Sequence, residues 1–399
     1  MFKELNKEDK IQLLLFYSSI FLRNISIGIF FVLFNLYIVE RDFPKNFLGM
    51  FLAVGNFAMA FGGIPAGIII DKYNKNRVLA AATFFCGILF ALQAVVPNRL
   101  SLIVISFFYG LNYAVLMGMT GPFLMQLGTT ETRPRYFSFS KSITLVALTL
   151  GSVLGGFLSR VNVSPYLYQT GLLIGSVLFI AAVLPLLFIV KKVPASQEGE
   201  QSPGPDFFKG VFTAENMKKY SFVMVIFFIM GYTVILTPYL NLYFNKRFWL
   251  EAIYVGYFMS VMQVSAAVLT FMSAYVVKKI GLTRILIGGL LLLALFYSVM
   301  LIIPNLYLHM GLLLLINGLF HLLVPFFINF FLERVNKARH GIVNGFMNVG
   351  YNLGDSLSTY HGGLLLLSGL YNIIFLIIIG AFLVVSALLT VYKKIKMET

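Results

Sequence analysis

Long runs of apolar residues, separated by short polar turns, extend along the whole chain. Each run has the roughly 20 residues that a helix needs to cross a bilayer. A helix is the expected structure because, away from water, backbone polar groups must find partners within their own segment. The pattern predicts twelve membrane spans, at 11–39, 47–70, 77–97, 100–127, 138–160, 166–190, 219–245, 250–277, 282–303, 306–332, 340–361 and 364–391.

The main interruption of this pattern is the polar segment KKVPASQEGEQSPGPDFFKGVFTAENMK. Its Pro, Gly, Ser and Glu content is typical of a linker. It leaves six spans on either side. We therefore predict an N-terminal six-helix bundle at 1–190, a cytoplasmic linker at 191–218 and a C-terminal six-helix bundle at 219–399.

The second half repeats the first in degenerate form. The turn after the second span returns 207 residues later, where Ala274, Lys278, Lys279 and Arg284 stand for Gly67, Asp71, Lys72 and Arg77. Two glycines of span 5 return in span 11 at an offset of 199 residues, namely Gly151 and Gly155 as Gly350 and Gly354. Such duplication is typical of secondary transporters. The expected fold is an all-α integral membrane protein with 12 transmembrane helices in two pseudo-symmetric bundles.

Composition excludes water as the solvent for most of this surface. The chain is 59% hydrophobic and only 11% charged, against about 25% charged in soluble domains. If the N-terminus is cytoplasmic, 23 of the 30 Lys and Arg residues lie in the tails and even-numbered loops. Basic loops stay on the cytoplasmic side and face anionic lipid. We predict a multi-pass protein of the cytoplasmic membrane with both termini inside, contacting the lipid bilayer and no nucleic acid.

The turn between spans 2 and 3 carries the most specific motif. The segment GIIIDKYNKNR resembles the loop signature of the major facilitator superfamily, Gly-x-x-x-Asp-(Arg/Lys)-x-Gly-(Arg/Lys)-(Arg/Lys). The positions that fit are Gly67, Asp71, Lys72 and Lys75, with Arg77 one position late. Asn74 replaces the second Gly, as a residue that tolerates left-handed backbone. The resemblance covers essentially the whole chain and implies that superfamily's fold and rocker-switch alternating access.

The charges of this turn favour a role in a cytoplasmic gate. Asp71 is the only acid in a basic turn, and an anion there can bind a helix N-terminus or an arginine of the opposite half. A solvated turn that obeys the positive-inside rule is the simpler interpretation, and it suffices for Lys72 and Lys75. The predicted gating set is Gly67, Asp71, Lys72, Lys75, Arg77, Glu131 and Arg135.

In this superfamily, spans 1, 4, 7 and 10 line the central cavity. The resemblance therefore implies a substrate cavity lined by Arg23, Asn24, Asn35, Asn112, Tyr113, Tyr232, Tyr239, Asn241, Asn317 and His321. Span 11 adds a polar stripe at helical spacing, formed by Asn344, Asn348, Asn352 and Asp355. Three aromatic residues close to span ends are expected at the membrane interface: Tyr243, His309 and His361.

Only Arg23 and Asp355 carry formal charges deep in the membrane. An ionisable side chain there costs at least about 2.5–3.5 kcal/mol unless it is paired or hydrated, so a function is the default expectation. Three interpretations stay open: a structural ion pair between the two, a proton carrier at Asp355 controlled by Arg23, or an anion-binding site at Arg23. His321 is a second candidate for proton coupling, with a satisfied polar group as the simpler interpretation.

No catalytic motif accompanies these residues. The sequence has no Walker-type phosphate loop, and its single Cys86 excludes an internal disulfide and a cysteine metal site. We expect a monomer without enzyme activity, cofactor or metal. The predicted function is proton-coupled efflux of amphipathic, drug-like small molecules by an antiporter. The alternatives are a carrier of an anionic metabolite bound through Arg23 and, in another class, a lipid translocase or non-transporting sensor.

Overall fold

The computed structural model describes residues 7–127, 133–161, 163–189, 213–335 and 340–394. Within these ranges the chain forms helices and connecting turns, and no strand. The helices are α1 Lys7–Glu40, α2 Lys45–Lys72, α3 Lys75–Val95, α4 Arg99–Leu127, α5 Arg133–Leu158, α6 Gln169–Ala181, α7 Val183–Leu187, α8 Ala214–Tyr232, α9 Leu240–Phe248, α10 Ala252–Ile280, α11 Leu282–Ile302, α12 Leu306–Leu332, α13 His340–Leu367 and α14 Tyr371–Lys394.

In the described ranges, eleven spans are long and apolar enough to cross a membrane. α13 is the remaining predicted span. Its 28 residues give it sufficient length, and it carries the predicted asparagine stripe. The all-helical membrane fold predicted from the apolar runs is confirmed.

Span 7, predicted as a single helix, is broken in the middle. α8 ends at Tyr232, a 3₁₀ turn covers Thr237–Tyr239, and α9 begins at Leu240. Pro238 has no N–H to donate, and its ring clashes with the carbonyl group of the preceding turn, so a regular helix does not continue through it. The side chains on both sides of the break remain largely apolar, which is why the hydrophobic pattern alone does not reveal it.

The chain divides into two compact units. Unit 1 comprises 1–199 and 244–263, and unit 2 comprises 200–243 and 264–399. In unit 1, α1 packs along α5 and α2 packs along α4. In unit 2, α8 packs along α13 and α11 packs along α14. The pairing of α8 with α13 is the counterpart of the pairing of α1 with α5, because these are the first and fifth spans of the two predicted repeats.

Glycines bring α1 and α5 of unit 1 into backbone contact. Gly151 faces Ile25, and a Cβ added at this glycine would overlap the Ile25 carbonyl oxygen. One turn further, a Cβ at Gly155 would lie 3.1 Å from the Cα of Ile29. Small residues permit this close approach between membrane helices, where van der Waals contact replaces the hydrophobic effect as the packing force.

Unit 2 repeats the same contact at equivalent positions. Gly350 and Gly354 of α13 face Met224 and Phe228 of α8, and a Cβ at either glycine would overlap a carbonyl oxygen of α8. All four residues lie 199 positions after their counterparts in unit 1. The duplication predicted from the sequence is therefore present in the packing of the two units.

The small residues of α5 also meet the first part of α10, within unit 1. A Cβ at Gly256 would lie 2.9 Å from the Cα of Gly156, so the two backbones are in contact. Beyond the end of α5, Arg160 forms an ion pair with Glu251 at 2.9 Å. The hydrogen bond in this pair raises the pKa of Arg160. Because the pair is exposed to solvent, the glycine contact contributes more to this packing than the ion pair does.

Candidate functional site

Arg23 is a candidate site residue of unit 1 whose charged side chain is buried. It lies midway along α1 and only 3% of its surface is exposed. Its guanidinium interacts electrostatically with Tyr113 of α4 and Cys86 of α3. Within unit 1, no described carboxylate pairs with it, and its Nε has no hydrogen-bond partner among the described residues. A buried cation in this situation is strongly disfavoured unless it has a function.

A row of stacked aromatic rings leads to Tyr113. Phe30 of α1 stacks on Phe90 of α3 with ring centroids 3.8 Å apart. Phe90 stacks on Tyr109 of α4 at 4.9 Å, and Tyr109 stacks on Tyr113 at 5.5 Å. Both tyrosines are half-buried. Apart from Tyr113, this row was missed by the sequence analysis, because its rings come from three separate spans.

Of the asparagines predicted to line the cavity of unit 1, Asn112 connects two helices. Asn112 donates from Nδ2 to the Ala82 carbonyl oxygen at 2.7 Å and to the Cys86 sulfur at 3.0 Å, which ties α4 to α3. Asn24 is buried and donates to a backbone carbonyl of its own helix at 2.7 Å. Asn35 is also buried. A contact between any of them and a substrate stays a prediction.

The polar stripe predicted on span 11 is present on α13 of unit 2. Asn348 donates to the Asn344 carbonyl oxygen at 2.9 Å, and Asn352 donates to the Asn348 carbonyl oxygen at 2.8 Å. The side chains of Asn344 and Asn348 are exposed, and Asp355 is half-buried. Asp355 accepts a hydrogen bond from Thr359, one turn further along, at 3.3 Å. Such an accessible polar face in a membrane span is typical of a helix that contacts water.

Two predicted cavity tyrosines bind α13, one on each side of the break in span 7. The Tyr232 hydroxyl lies 2.6 Å from Nδ1 of His361, and the Tyr239 hydroxyl donates to the Thr359 carbonyl oxygen at 2.5 Å. Tyr239 also interacts electrostatically with Asp355. The broken span is therefore attached to the helix that carries the candidate proton site. The other predicted cavity residues of unit 2 are buried or half-buried: Asn241, Asn317 and His321.

Tyr243 and His309, expected at the membrane interface, are covered by other helices. Both side chains are completely buried, and the Tyr243 hydroxyl is hydrogen-bonded to Nδ1 of His309. The Nε2 of His309 lies 2.9 Å from the Ile303 carbonyl oxygen. Two rings of α14, Tyr371 and Phe375, pack edge-on against Tyr243. A position near the end of a span does not indicate whether a distant helix covers it.

The turn between α2 and α3 is described only in part. The Asn74 side-chain oxygen caps α3 by accepting from the backbone N–H groups of Asn76 at 3.1 Å and Arg77 at 3.3 Å. Its φ of −59° is not left-handed, so capping explains an Asn here better than backbone tolerance does. Lys75 is buried and Arg77 is exposed. The remaining gating residues have side chains or surroundings outside the described part of the chain: Gly67, Asp71, Lys72, Glu131 and Arg135.

Comparisons with known proteins agree with this architecture. The family model described as Major Facilitator Superfamily matches residues 16–359 and 252–397. The multi-drug resistance efflux pump PmrA of Streptococcus pneumoniae is 25% identical over 260 residues, which is 63% of this chain and 61% of the pump. The 4-hydroxybenzoate transporter PcaK of Pseudomonas aeruginosa is 28% identical over 141 residues, which is 35% of this chain and 31% of that protein.

A solved structure extends the similarity in fold to almost the whole chain. The crystal structure of the nucleoside transporter NupG has a TM-score of 0.79 at 18% sequence identity, and covers 96% of this chain and 100% of that chain. The matches to the curated relatives are shorter, and span between 31% and 61% of their lengths. Identity this low between structures supports the fold alone.

Proposed function

The chain belongs to the major facilitator superfamily, and we propose that it is a proton-coupled secondary transporter of small organic solutes in the cytoplasmic membrane. The observation that carries the coupling is the accessible polar face of α13, which leads to the half-buried Asp355. A carboxyl group in this position can exchange a proton with water when the face is wet. When the face is not in contact with water, the surroundings of the carboxyl group determine whether it keeps its proton.

The broken span supplies a way to couple this proton to movement. Tyr239 interacts with Asp355, and the hydroxyl groups of Tyr232 and Tyr239 bind α13 on both sides of the break. A helix interrupted at Pro238 can bend at that point more easily than a continuous one. We infer that bending there changes how well Asp355 is solvated, and so links proton release to alternating access.

We propose efflux of amphipathic, drug-like compounds as the direction and substrate class. The stacked rings near Arg23 and the small number of charged groups inside the spans favour amphipathic solutes, and PmrA, a partial relative, is a multi-drug efflux pump. A carrier of an anionic metabolite is the second candidate. Two observations favour it: no described carboxylate of unit 1 pairs with Arg23, and the chain is partly similar to a 4-hydroxybenzoate transporter.

Proton movement in everted membrane vesicles tests both candidates, with a pH-sensitive dye as the readout. Amphipathic cations and then organic anions are added to vesicles that contain the wild type or Asp355→Asn at matched protein levels. If cations release the proton gradient only with the wild type, the efflux proposal is supported. A response restricted to anions, and lost in Arg23→Ala, would replace efflux by the anion carrier. If neither class moves protons, the proposal of proton coupling fails.

The gate proposed at Asp71 gives a separate prediction. Asp71→Asn is expected to slow turnover about tenfold or more without changing substrate affinity, because one charge-assisted hydrogen bond contributes about 1.5–3 kcal/mol. Initial transport rates and equilibrium binding measure the two quantities independently. Asp42→Asn is the matched control, since Asp42 is exposed with a φ of 54° that Asn also tolerates. Equal turnover in Asp71→Asn and the wild type would remove Asp71 from the gate.

A further inference from the structure

Arg23 places a permanent positive charge in unit 1 without a described group to neutralise it. Arginine stays protonated inside proteins. The two side chains that interact with it, Tyr113 and Cys86, are neutral at neutral pH. With 3% of its surface exposed, water can solvate the guanidinium only slightly. A cation in such surroundings is stabilised when an anion binds to it.

Tyr113, which interacts with Arg23, and Tyr109, which stacks on Tyr113, also carry hydroxyl groups that can bind an anion. Neither Tyr109 nor Tyr113 forms a hydrogen bond with another residue of the described ranges, and both are half-buried. Asn112 is different, because both of its amide hydrogens are directed to α3. The donors without a partner in the described ranges are thus the Arg23 Nε and the hydroxyls of Tyr113 and of its stacking neighbour Tyr109. A carboxylate is the group that a guanidinium binds through two parallel hydrogen bonds, and it also accepts from hydroxyls.

The stacked rings beside this site indicate which chemical group the anion carries in addition to its carboxylate. Phe90, Tyr109 and Tyr113 form a continuous stack at centroid distances of 4.9 and 5.5 Å. A further planar ring can extend such a stack in the offset geometry that aromatic pairs prefer. An aliphatic chain would fill space there without this preference.

We propose that Arg23, Tyr109 and Tyr113 form a binding site for a planar aromatic monocarboxylate in unit 1. One guanidinium balances one negative charge, which favours a monocarboxylate over a doubly charged phosphate. The carboxylate binds Arg23 and the tyrosine hydroxyls, and its ring continues the aromatic stack. This inference rests on the second candidate function, the carrier of an anionic metabolite, and names a substrate class for it.

Calorimetric titration of the purified full-length protein in detergent tests the site directly. Benzoate is the probe, benzamide is its neutral analogue, and cyclohexanecarboxylate is an anion of similar size without an aromatic ring. We expect benzoate to bind at least about tenfold more tightly than benzamide, since the charge-assisted hydrogen bonds are lost in the amide. Cyclohexanecarboxylate is expected to bind with intermediate affinity. Equal affinities for all three compounds would overturn the proposal.

Substitutions at the proposed site test whether benzoate binds there. Arg23→Gln is expected to weaken benzoate binding at least about tenfold. Arg23→Lys should restore part of it, since Lys keeps the charge but lacks the two-pronged geometry. Tyr113→Phe removes only a hydroxyl and should weaken binding several-fold without disturbing the stack. Thermal unfolding confirms that each variant is folded. Should Arg23→Gln fold poorly, Tyr113→Phe still decides: wild-type affinity in it contradicts the assigned site.

Measuring benzoate binding and proton-coupled transport on the same wild-type protein separates this inference from the proposed function. If the wild type binds benzoate but moves no protons or solute, the site stands and the transport proposal fails. If the wild type transports amphipathic cations with protons but does not bind benzoate, the transport proposal stands and the site is overturned.

Discussion

Replacing Asp355 by Asn is expected to abolish solute accumulation driven by a proton gradient, while exchange of solute across the membrane continues. Asn has almost the same shape as Asp and can still accept the hydrogen bond from Thr359. It cannot take up or release a proton. For one proton per solute, a gradient supports about tenfold accumulation per pH unit, and this accumulation is the quantity that the variant should lose.

Purified protein in liposomes allows both activities to be measured with the same labelled solute. Accumulation is followed under an imposed pH gradient, and exchange is followed with solute on both sides and no gradient. Glu251→Gln is a suitable control, because it also removes one carboxylate, from an exposed ion pair just before the start of α10. Undiminished accumulation by Asp355→Asn would show that the proton is carried elsewhere, with His321 as the next candidate.

Replacing Gly354 by Ala is expected to cause a large loss of folded protein for a single added methyl group. The new Cβ would overlap the Phe228 carbonyl oxygen, and it would lie 2.9 Å from the Phe228 carbonyl carbon and 3.1 Å from the Tyr232 backbone nitrogen. All three are backbone atoms that cannot rotate away. Overpacking of this kind costs about 1–3 kcal/mol or more. It outweighs the roughly 1 kcal/mol that Ala gains over Gly in a helix.

Gly345→Ala is the matched control on the same helix. A Cβ at Gly345 would meet nothing within 4 Å, so only the gain in helix propensity remains. Thermal unfolding in detergent should show a lower melting temperature for Gly354→Ala and an equal or higher one for Gly345→Ala. Gly151→Ala in unit 1 should behave like Gly354→Ala, because it would overlap the Ile25 carbonyl oxygen in the equivalent contact. Equal stability of all three variants would contradict the packing described for these helices.

The sequence predicts most of the fold because one physical constraint acts on every span. Backbone polar groups inside a bilayer must be paired locally, so a long apolar run is necessarily helical. The glycines of α5 and α13 are informative for a related reason. The glycines of α13 follow those of α5 by 199 residues, and the α8 residues that they contact follow those of α1 by the same number. An internal repeat in the sequence is therefore also a repeat in the packing.

Features that depend on distant helices could not be predicted in the same way. The burial of His309 results from α14, which follows it by more than 60 residues. The aromatic row beside Arg23 is assembled from α1, α3 and α4. The break at Pro238 has a local cause, but its consequence, the attachment of both halves to α13, is tertiary. The roles proposed for Arg23, Asp355 and the gating turn remain predictions.

The central claim is that a proton gradient alone drives this protein, and simultaneous measurement of proton and solute flux tests it most directly. Liposomes containing only the purified wild type and no ATP are loaded with a pH-sensitive dye and given labelled solute. We expect a pH change that starts with solute movement and keeps a fixed proportion to it. Solute flux without any proton movement, or accumulation that requires ATP, would contradict the account.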